Sequence, residues 1–279
     1  MVVLVAGAFG QLGQALQFIS KNYQGVQFHF ASSSEVDITN KQILFAAFNT
    51  LKPDFCINAA AYTAVDEAEN NPQIAALINV EGAKNLAEIC KEFHTTLIHI
   101  STDFVFDGNN QTPYSENDFT NPQSVYGSTK RAGEIAIQSV LTEHFIIRTS
   151  WLFSQFGNNF MKTMLRLSSE RKFVNVVNDQ IGTPTNASDL ADALVKIILS
   201  ESKAYGIYHF SNEGQASWFD FATEIFKLHA IRTQINPIAT AFFPTAAKRP
   251  SYSVLDKSKI KAEFGVVIRN WQEALVVVA

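Results

Sequence analysis

Tyr126 and Lys130 stand four positions apart in residues 125–140, a segment whose apolar spacing predicts a helix. Positions i and i+4 share one helix face, so the phenol and the ammonium group would be neighbours. A neighbouring ammonium group stabilises a phenolate and lowers the pKa of the phenol from its usual value of about 10. Such a pair can give a proton to a carbonyl oxygen while hydride reaches the carbon. The spacing alone is weak evidence, because a surface pair is its commonest meaning.

Thr102 and Asp103 directly follow residues 96–101, an apolar run that predicts a strand. If the strands are parallel, their carboxyl ends open onto one cleft, which these two side chains would share with Tyr126 and Lys130. Thr102 would then hold the carbonyl oxygen of a substrate while Tyr126 delivers the proton. The alternatives are a helix cap for Thr102 and a surface salt bridge for Lys130.

Three glycines, Gly7, Gly10 and Gly13, follow the apolar run 2–6 and open residues 11–22, a segment of helical spacing. The first glycine would allow a tight turn, and the second would let a diphosphate reach N–H groups at the positive end of the helix. The third would let helix and strand pack closely. The motif predicts a dinucleotide site, with NADPH or NADH as the expected cofactor. The alternative is a glycine-rich turn without a ligand.

The ends of two further predicted strands supply candidates for the same site. Residues 58–61, Asn-Ala-Ala-Ala, would let a ribose or adenine lie against the backbone, although close helix packing explains them equally well. Residues 31–34, Ala-Ser-Ser-Ser, include neither the acid typical of NAD sites nor an arginine for a 2′-phosphate. The serines could bind either cofactor, so the choice between NAD and NADP stays open.

These motifs lie in a chain whose short apolar runs alternate with longer segments of helical spacing. The predicted strands are 2–6, 26–31, 55–58, 96–101 and 145–149, and the predicted helices are 11–22, 41–51, 72–93 and 125–140. Beyond residue 150 we expect helices at 158–168, 188–199, 218–229 and 256–264 and strands at 173–177 and 207–210. The alternation predicts an α/β fold with a Rossmann-type doubly wound parallel sheet and a smaller α+β substrate-binding lobe.

The domain division follows from the point at which this alternation loosens. We predict a dinucleotide-binding domain of residues 1–150, to which residues 178–206 return, and a substrate-binding lobe of residues 151–177 and 207–279. Glu67 and Glu69 are expected on a solvated loop between the two sets of motifs. With 279 residues and 47% hydrophobic residues, the chain has enough apolar side chain for a large core.

Composition excludes several classes of protein. With 22 basic against 26 acidic residues, the chain lacks the positive charge that nucleic-acid binding requires, so we predict no nucleic-acid partner. No apolar run approaches about 18 residues and no basic segment precedes the first strand, which predicts no membrane segment and a cytoplasmic location. Cys56 and Cys90 indicate neither a disulfide framework nor a zinc site, and the scattered histidines offer no metal-binding pair.

Several runs resemble those of the extended short-chain dehydrogenase/reductases and, among them, of the dTDP-4-dehydrorhamnose reductase family. The runs are Gly10-Gln11-Leu12-Gly13, Asn58-Ala59-Ala60-Ala61-Tyr62-Thr63-Ala64-Val65-Asp66, Ser101-Thr102-Asp103-Phe104-Val105-Phe106-Asp107-Gly108, Tyr126-Gly127-Ser128-Thr129-Lys130, Arg148-Thr149-Ser150-Trp151, Gly157-Asn158-Asn159-Phe160, Asp179-Gln180-Ile181-Gly182-Thr183-Pro184-Thr185 and Arg249-Pro250. The glycine and Tyr/Lys motifs are general to the superfamily. The Ala-Val-Asp, Gly-Asn-Asn-Phe and Asp-Gln-x-Gly-x-Pro-Thr runs narrow the resemblance to the reductases.

The resemblance implies reduction of the 4-keto group of dTDP-4-dehydrorhamnose to dTDP-L-rhamnose by NADPH or NADH, a step in nucleotide-sugar and cell-surface polysaccharide synthesis. It implies Thr102, Tyr126 and Lys130 as catalytic residues with Asp103 beside them. The implied substrate contacts are Val65, Thr102, Asp103, Tyr126, Trp151, Asn158 and Arg249. The implied cofactor contacts are Gly7, Phe9, Gly10, Gln11, Leu12, Gly13, Ser32, Ser33, Asp37, Ile38, Asn58, Ala59, Ala60, Ala61, Tyr62, Tyr126 and Lys130.

Some members of the family hold a metal at a dimer contact through glutamates, one of them just after the glycine motif. Ala15 stands in that neighbourhood here, so we predict no metal; a homodimer is a possible assembly. Two other functions fit the same motifs. One is a nucleotide-sugar epimerase or dehydratase, which would keep its nicotinamide bound between turnovers, and the other is a non-catalytic dinucleotide-binding regulatory subunit. Net oxidation of added NAD(P)H separates a reductase from both.

Overall fold

The computed structural model describes residues 1–278. Its strands are β1 (Val2–Ala6), β2 (Gln27–Ala31), β3 (Phe55–Asn58), β4 (Thr96–Thr102), β5 (His144–Thr149), β6 (Leu152–Phe153), β7 (Phe173–Val177), β8 (Ile181–Gly182), β9 (Thr185–Asn186), β10 (Gly206–His209), β11 (Ala216–Ser217) and β12 (Gln234–Ile238). Its α-helices are α1 (Gln11–Ser20), α2 (Lys41–Leu51), α3 (Val65–Asn70), α4 (Pro72–Ala76), α5 (Ala83–Glu92), α6 (Val125–Val140), α7 (Phe160–Glu170), α8 (Ala187–Leu199), α9 (Trp218–Leu228), α10 (Ser258–Phe264) and α11 (Trp271–Val276). A π-helical segment, Leu77–Gly82, joins α4 to α5.

Six parallel strands form the main sheet in the order β10-β5-β4-β3-β1-β2. From β1 the chain moves to β2 on one side and then to β3 on the other, so the strand order reverses at β1. The ends of β1 and β3 lie side by side there, with Ala6 opposite Asn58. The predicted α/β class with a doubly wound parallel sheet is confirmed, and folds of this type bind ligands in the crevice at such a reversal.

Both faces of the main sheet are buried. Val3 and Val5 of β1 pack into a cluster with residues of α1 and α8, whereas Leu4 packs into a second cluster with residues of α2 and α5. Successive side chains of a strand point to opposite faces, so a strand that is covered on both faces has to be apolar at consecutive positions. This explains why the first strand is a continuous apolar run.

The smaller lobe packs α7, α9 and α11 around the parallel pair of β7 and β12. Neither β12 nor α11 is predicted from the sequence. Pro237 lies inside β12. A proline has no N–H group to donate, so in a sequence it argues against a strand with neighbours on both sides. Strand β12 belongs to a two-stranded sheet, where a proline is tolerated. Helix α11 has six residues, which is too short for a periodic signal.

One strand from the range assigned to the smaller lobe belongs to the main sheet. Strand β10 pairs in parallel with β5, and the ring of Tyr208 lies 5.0 Å from that of Phe264 in α10. Tyr208 and Phe210 join the core cluster that contains α1 and α8, and burial of these two rings favours the placement. The first residues of the range 207–279, which the sequence assigned to the smaller lobe, therefore form a strand of the main sheet.

Two local assignments also differ from expectation. Glu67 and Glu69 lie in α3 rather than in a loop, because Asp66 and Glu67 occupy the first turn of that helix, where negative charge is favourable. The predicted helix 72–93 is continuous in direction but changes to π geometry at Leu77–Gly82. A π-bulge leaves the chain helical on both sides, so residues 72–92 are helical throughout.

The contact between α6 and the π-helical segment depends on a missing side chain. An added Cβ at Gly133 would lie 2.2 Å from the carbonyl oxygen of Asn79. We predict that Gly133→Ala lowers the free energy of unfolding by about 1–3 kcal/mol, because one of the two helices must shift.

Gly25→Ala is the matched control, since nothing lies within 4 Å of its added Cβ. Urea denaturation followed by circular dichroism measures both variants. Equal stability of Gly133→Ala and Gly25→Ala would contradict the close approach of α6 to Asn79.

Candidate active site

Helix α6 carries Tyr126 in its first turn. Ser124 caps this helix, its hydroxyl accepting a hydrogen bond from the Gly127 N–H group at 3.1 Å. An added Cβ at Gly127 would lie 2.2 Å from the carbonyl oxygen of Phe104, so only glycine lets the helix approach the end of β4 this closely. The approach sets the Tyr126 ring edge-on to that of Phe104, with centroids 5.6 Å apart, and brings the phenol to Thr102.

Thr102 ends β4, and its hydroxyl donates to Asp103 Oδ1 at 3.0 Å. Burial raises the pKa of Tyr126 to about 12; hydrogen bonding with Thr102 opposes this rise, and the charge of Asp103 adds to it. We expected Lys130 to lower this pKa, but the causes of its shift are burial, Thr102 and Asp103, and burial is the largest. At neutral pH the phenol therefore keeps its proton, which is the state that a proton donor requires.

Asp103 is 1% exposed beside the phenol. Burial raises the pKa of its carboxyl group to about 6, and the hydroxyl groups of Ser253 and Thr102 limit the rise. A carboxyl group that titrates close to neutral pH next to a half-buried phenol is typical of catalytic sites.

Lys130 is 2% exposed one turn beyond Tyr126. Its Nζ donates to the carbonyl oxygen of Ile100 at 2.6 Å and lies 3.2 Å from Nε2 of His99. Burial lowers the pKa of Lys130 to about 8, while the Glu134 carboxylate raises it. The amine can therefore change its charge close to neutral pH, which an exposed lysine does not do.

Glu134 is fully buried one turn beyond Lys130, and donors from three elements surround it. Its Oε1 accepts from Ser101 Oγ at 2.5 Å and from Arg148 Nε at 2.9 Å. Its Oε2 accepts from Arg148 Nη2 at 2.8 Å and from Arg131 Nη1 at 3.1 Å. Because Ser101 lies on β4 and Arg148 on β5, this ion pair holds α6 against both strands and determines where Tyr126 and Lys130 stand.

Gly7 and Gly10 form an open cradle at the N-terminus of α1. Gly7 has a φ of +79°, and an added Cβ there would lie 2.5 Å from the Ala60 nitrogen. Gly10 occupies the N-cap position of α1, and among residues 1–278 no side chain caps this end. The N–H groups of the first turn are thus free for an anion, which fits the diphosphate of a dinucleotide. An added Cβ at Gly13 would lie 2.4 Å from the Ala8 carbonyl oxygen, so this glycine permits the close packing of α1.

Some of the expected cofactor contacts have side chains that are used elsewhere. Leu12 and Ile38 are buried in the two core clusters, and Asp37 Oδ1 accepts from Thr39 N at 2.9 Å within its own turn. Phe9, by contrast, is 69% exposed next to the glycine cradle. Any contact from Leu12 or Ile38 to a cofactor would come from backbone atoms.

The segment after β3, residues 58–62, is held against α6 by a residue that sequence analysis missed. Asn79 accepts from Tyr62 N–H at 2.9 Å, donates to the Tyr62 carbonyl oxygen at 3.2 Å and donates to Thr129 Oγ1 at 3.1 Å. Asn79 lies in the π-helical segment, and π-bulges are frequent at functional sites. Within the same segment Ala59, Ala60 and Ala61 are half-buried.

Glu35 supplies an acid at the end of β2, where sequence analysis finds none. Its Oε2 accepts from the Ser32 N–H group at 2.8 Å and from Ser32 Oγ at 2.7 Å. The chain turns at residues 32–35, with Glu35 N–H donating to the Ser32 carbonyl oxygen, and this turn brings the carboxylate back to the strand. Hydrogen bonds from Ser32 hold the pKa of Glu35 below its usual range. Ser33 is exposed beside them.

Trp151 lies in a two-ring stack. Its ring and that of Trp218 are 3.5 Å apart between centroids and 6° apart in orientation. Trp151 has a φ of +46°, and an added Cβ at Gly182 would lie 2.5 Å from its ring. The stack gives a flat apolar wall at the entrance to the smaller lobe, and Trp218 is a part of it that the sequence did not indicate.

Arg249 is tied to α3 by an ion pair. Its Nη2 donates to Asp66 Oδ2 at 2.8 Å, and Asp66 Oδ1 accepts from the Ala247 N–H group at 3.0 Å. Val65, half-buried, begins the same helix. The ion pair thereby brings Arg249 close to Val65, and both residues are expected substrate contacts.

Asn158 is exposed, and its neighbour Asn159 makes a contact between the two predicted lobes. Asn159 caps α7 through its Oδ1, which accepts from Lys162 N at 3.1 Å, and its Nδ2 donates to Gln11 Oε1 at 2.8 Å. Gln11 follows the glycine cradle, so α7 is joined directly to the expected diphosphate site.

A family model described as RmlD substrate binding domain matches residues 1–279. The chain belongs to this family. Similar proteins are the dTDP-4-dehydrorhamnose reductases of Aggregatibacter actinomycetemcomitans, 43% identical over 98% of this chain and 96% of the relative, and of Streptomyces griseus, 39% identical over 98% and 91%. A solved dTDP-4-dehydrorhamnose reductase from Clostridium acetobutylicum is 41% identical with a TM-score of 0.95, covering 100% of this chain and 98% of that one. One from Bacillus anthracis in complex with NADP is 38% identical with a TM-score of 0.95, covering 99% and 98%.

The resemblance drawn from the motifs is confirmed at the level of the RmlD family. Asn79, Glu134 and His99 lie among the side chains of the candidate site, and the sequence assigned none of them a role in it. Asn79 and Glu134 are polar positions on the buried faces of predicted helices, and Glu134 stands at i+4 from Lys130. A polar residue on an otherwise buried face is the signal that could have identified them.

Asp103 should leave a pH-dependent mark on stability. Its pKa is about 6 in the fold against a reference of 3.8, so the fold favours the protonated form. The resulting stabilisation is present below about pH 4 and is lost as pH rises through about 6. We predict that Asp103→Asn gains stability relative to the parent protein between pH 4 and 7, by up to about 3 kcal/mol.

Urea denaturation across this pH range measures the difference. The exposed Glu81→Gln variant is the control and should follow the parent protein at every pH. A constant difference between Asp103→Asn and the parent protein would show that the carboxyl group titrates normally.

Proposed function

We propose that this chain is an NAD(P)H-dependent reductase that converts the 4-keto group of dTDP-4-dehydrorhamnose to an alcohol and yields dTDP-L-rhamnose. The observation that carries the proposal is the meeting of Thr102, Tyr126 and Lys130 at the carboxyl edge of the sheet that also bears the glycine cradle. The relatives of matching length named as reductases of this sugar nucleotide support the choice of substrate.

Tyr126 is the proton donor of this reaction. When bound, the nicotinamide supplies hydride to the carbonyl carbon. The carbonyl oxygen then takes the proton of the Tyr126 phenol, so the C=O group becomes CH–OH and a phenolate remains. Thr102, at the end of β4, holds that oxygen by its hydroxyl, and the positive charge of Lys130 stabilises the phenolate.

The chain holds the two ligands with different groups. The free N–H groups of α1 would bind the dinucleotide diphosphate, and residues 58–62 would line its path toward Lys130, which would contact the ribose. On the other side, the guanidinium of Arg249 would pair with the substrate diphosphate and Trp151 would cover the sugar or the base. Asp66 keeps Arg249 oriented but neutralises part of its charge.

Tyr126→Phe should lower kcat by about 10²-fold or more, because the general acid is lost. Binding of the dinucleotide, measured by fluorescence titration, should persist. The assay is oxidation of NADPH or NADH, followed by absorbance, with the dTDP-4-keto sugar as substrate.

The control is Tyr23→Phe, which removes a hydroxyl that donates to Asp192 Oδ1 on α8. It should retain turnover. Unchanged turnover of Tyr126→Phe would remove the phenol from the mechanism, and no net oxidation by the parent protein would favour an epimerase, a dehydratase or a regulatory subunit.

Glu35 bears on the choice of cofactor. Its carboxylate occupies the Ser32 N–H and hydroxyl donors that a 2′-phosphate could use, and its negative charge repels that phosphate. We therefore propose that this chain uses NADH better than NADPH, while using both.

Glu35→Gln removes the charge with little change of shape. We predict that it raises the ratio of kcat/KM for NADPH to that for NADH by about tenfold, because it removes a negative charge that repels the 2′-phosphate. Glu92→Gln on the exposed face of α5 removes the same charge elsewhere and should leave the ratio unchanged. Equal ratios in the two variants would exclude Glu35 as a determinant.

The cytoplasmic location, the homodimer and the lack of a nucleic-acid partner are also proposals. The net charge of −4 supports the last of them. Within residues 1–278 no helix is long and apolar enough to cross a membrane, and no group of three or more His, Cys, Asp or Glu residues could hold a metal. Light scattering on the purified protein tests the dimer directly.

A further inference from the structure

His99 lies on β4, three residues before Thr102, and the proposed reaction does not use it. The ring is 1% exposed and stands between two polar side chains. Its Nε2 lies 3.2 Å from Lys130 Nζ, and its Nδ1 lies 3.0 Å from Asn58 Nδ2. Both contacts are buried, so each of them needs one donor and one acceptor.

The orientation of Asn58 determines which ring nitrogen carries the proton. The Ala60 N–H group donates to Asn58 Oδ1 at 3.1 Å, so the amide nitrogen of Asn58 faces His99. An amide nitrogen only donates, and therefore Nδ1 of His99 must accept. A neutral imidazole with an accepting Nδ1 carries its hydrogen on Nε2. Burial keeps the ring neutral, because it holds the pKa of His99 well below its usual value.

The Ala60 N–H group excludes the opposite orientation of the Asn58 amide. If Asn58 were flipped, its NH₂ group would face the Ala60 N–H group at 3.1 Å, and two donors would meet in a buried place. The accepted orientation leaves the Nε2–H group of His99 pointing at Lys130. An ammonium group has three donors and no acceptor, whereas an uncharged amine has a lone pair. The contact is satisfied only by the uncharged amine.

The elements packed against His99 and Lys130 carry several charged or titratable groups. Helix α6 contributes Lys130 itself, Glu134 and Arg131, and β5 contributes His144 and Arg148. Strand β3 and helix α5 contribute the buried thiols Cys56 and Cys90. Glu134 favours the charged form of Lys130, but both of its oxygens are already paired with arginines or Ser101, which limits that effect.

We propose that His99 is a positioning residue that donates its Nε2–H to Lys130 in the cofactor-free protein whenever the Lys130 amine has lost its proton. The amine then donates one hydrogen to the Ile100 carbonyl oxygen and keeps the other free. His99 thereby holds Nζ in place and stabilises the form of Lys130 that leaves Tyr126 a phenol. The tautomer stands independently of the proposed reductase activity, whereas its effect on turnover rests on that activity.

The first test reads the tautomer directly. The protein is labelled with ¹⁵N in histidine, and a long-range ¹H–¹⁵N spectrum is recorded without cofactor at about pH 9, above the pKa of about 8 to which burial lowers Lys130. A His99→Leu variant identifies the signals by their loss, and if it does not fold, through-bond assignment of the parent protein replaces it. We expect the hydrogen on Nε2 and a bare Nδ1. A hydrogen on Nδ1 with a bare Nε2 would overturn the proposal.

The second test follows the charge of Lys130 by NMR titration of its side chain in the cofactor-free protein. Loss of the Nε2–H donor should raise the pKa of Lys130 by about one pH unit in His99→Leu, the size of one buried hydrogen bond. His144→Leu is the matched control, since His144 is a buried histidine on β5 that makes no hydrogen bond to Lys130 within the described residues. Its Lys130 titration should match that of the parent protein. An unchanged or lower pKa in His99→Leu would refute the proposal.

If the reductase activity is also present, the alkaline limb of the pH profile of kcat should move upward in His99→Leu by a similar amount, with KM for the sugar nucleotide unchanged. A loss that appears in KM alone would indicate a purely structural role and contradict the proposal. A protein with no turnover but with the expected tautomer would refute the proposed function and leave the role of His99 intact.

Discussion

The carboxylate of Glu134 is buried against α6, β4 and β5, and the position of the catalytic helix depends on the hydrogen bonds that it accepts. Arg148 binds both of its oxygens, and Ser101 and Arg131 complete the set. Removing one partner of a buried ion pair costs about 3–5 kcal/mol, because the remaining charge stays unpaired in a medium of low dielectric constant. Tyr126 and Lys130, the proposed catalytic side chains, stand on the same helix face as this carboxylate, so their positions relative to Thr102 depend on it.

Burial raises the pKa values of the acids at this site and lowers that of the amine. It disfavours every charged form, which raises the pKa of Tyr126 to about 12 and of Asp103 to about 6 and lowers that of Lys130 to about 8. The pKa values of the Asp103 carboxyl group and the Lys130 amine thereby approach each other. Near neutral pH a proton can be added to or removed from this group of residues at a small cost in free energy, which suits a reaction that consumes one proton per turnover.

The two lobes are connected through the residues that would contact the ligands. Asn159 at the start of α7 donates to Gln11 beside the glycine cradle, and Asp66 on α3 binds Arg249 of the C-terminal segment. Both contacts join a part of the smaller lobe to the edge of the main sheet where the strand order reverses. The polar groups of these two contacts are held before any ligand arrives, which reduces the ordering that binding requires.

Local patterns in the sequence determined the features that depend on neighbouring residues: the alternation of strands and helices, the glycines at 7, 10 and 13, and the placement of Tyr126 and Lys130 on one helix face. The tertiary structure decided the rest. It turned Asn79 toward Tyr62 through a π-bulge, placed β10 in the main sheet, and set His99 between Asn58 and Lys130. Periodicity and turn chemistry act within about one or two helical turns, so they are readable from the chain alone. The other pairings of the site join groups farther apart in the chain, 17 residues for Tyr62 and Asn79 and 31 for His99 and Lys130, and these meet only when the core has been packed.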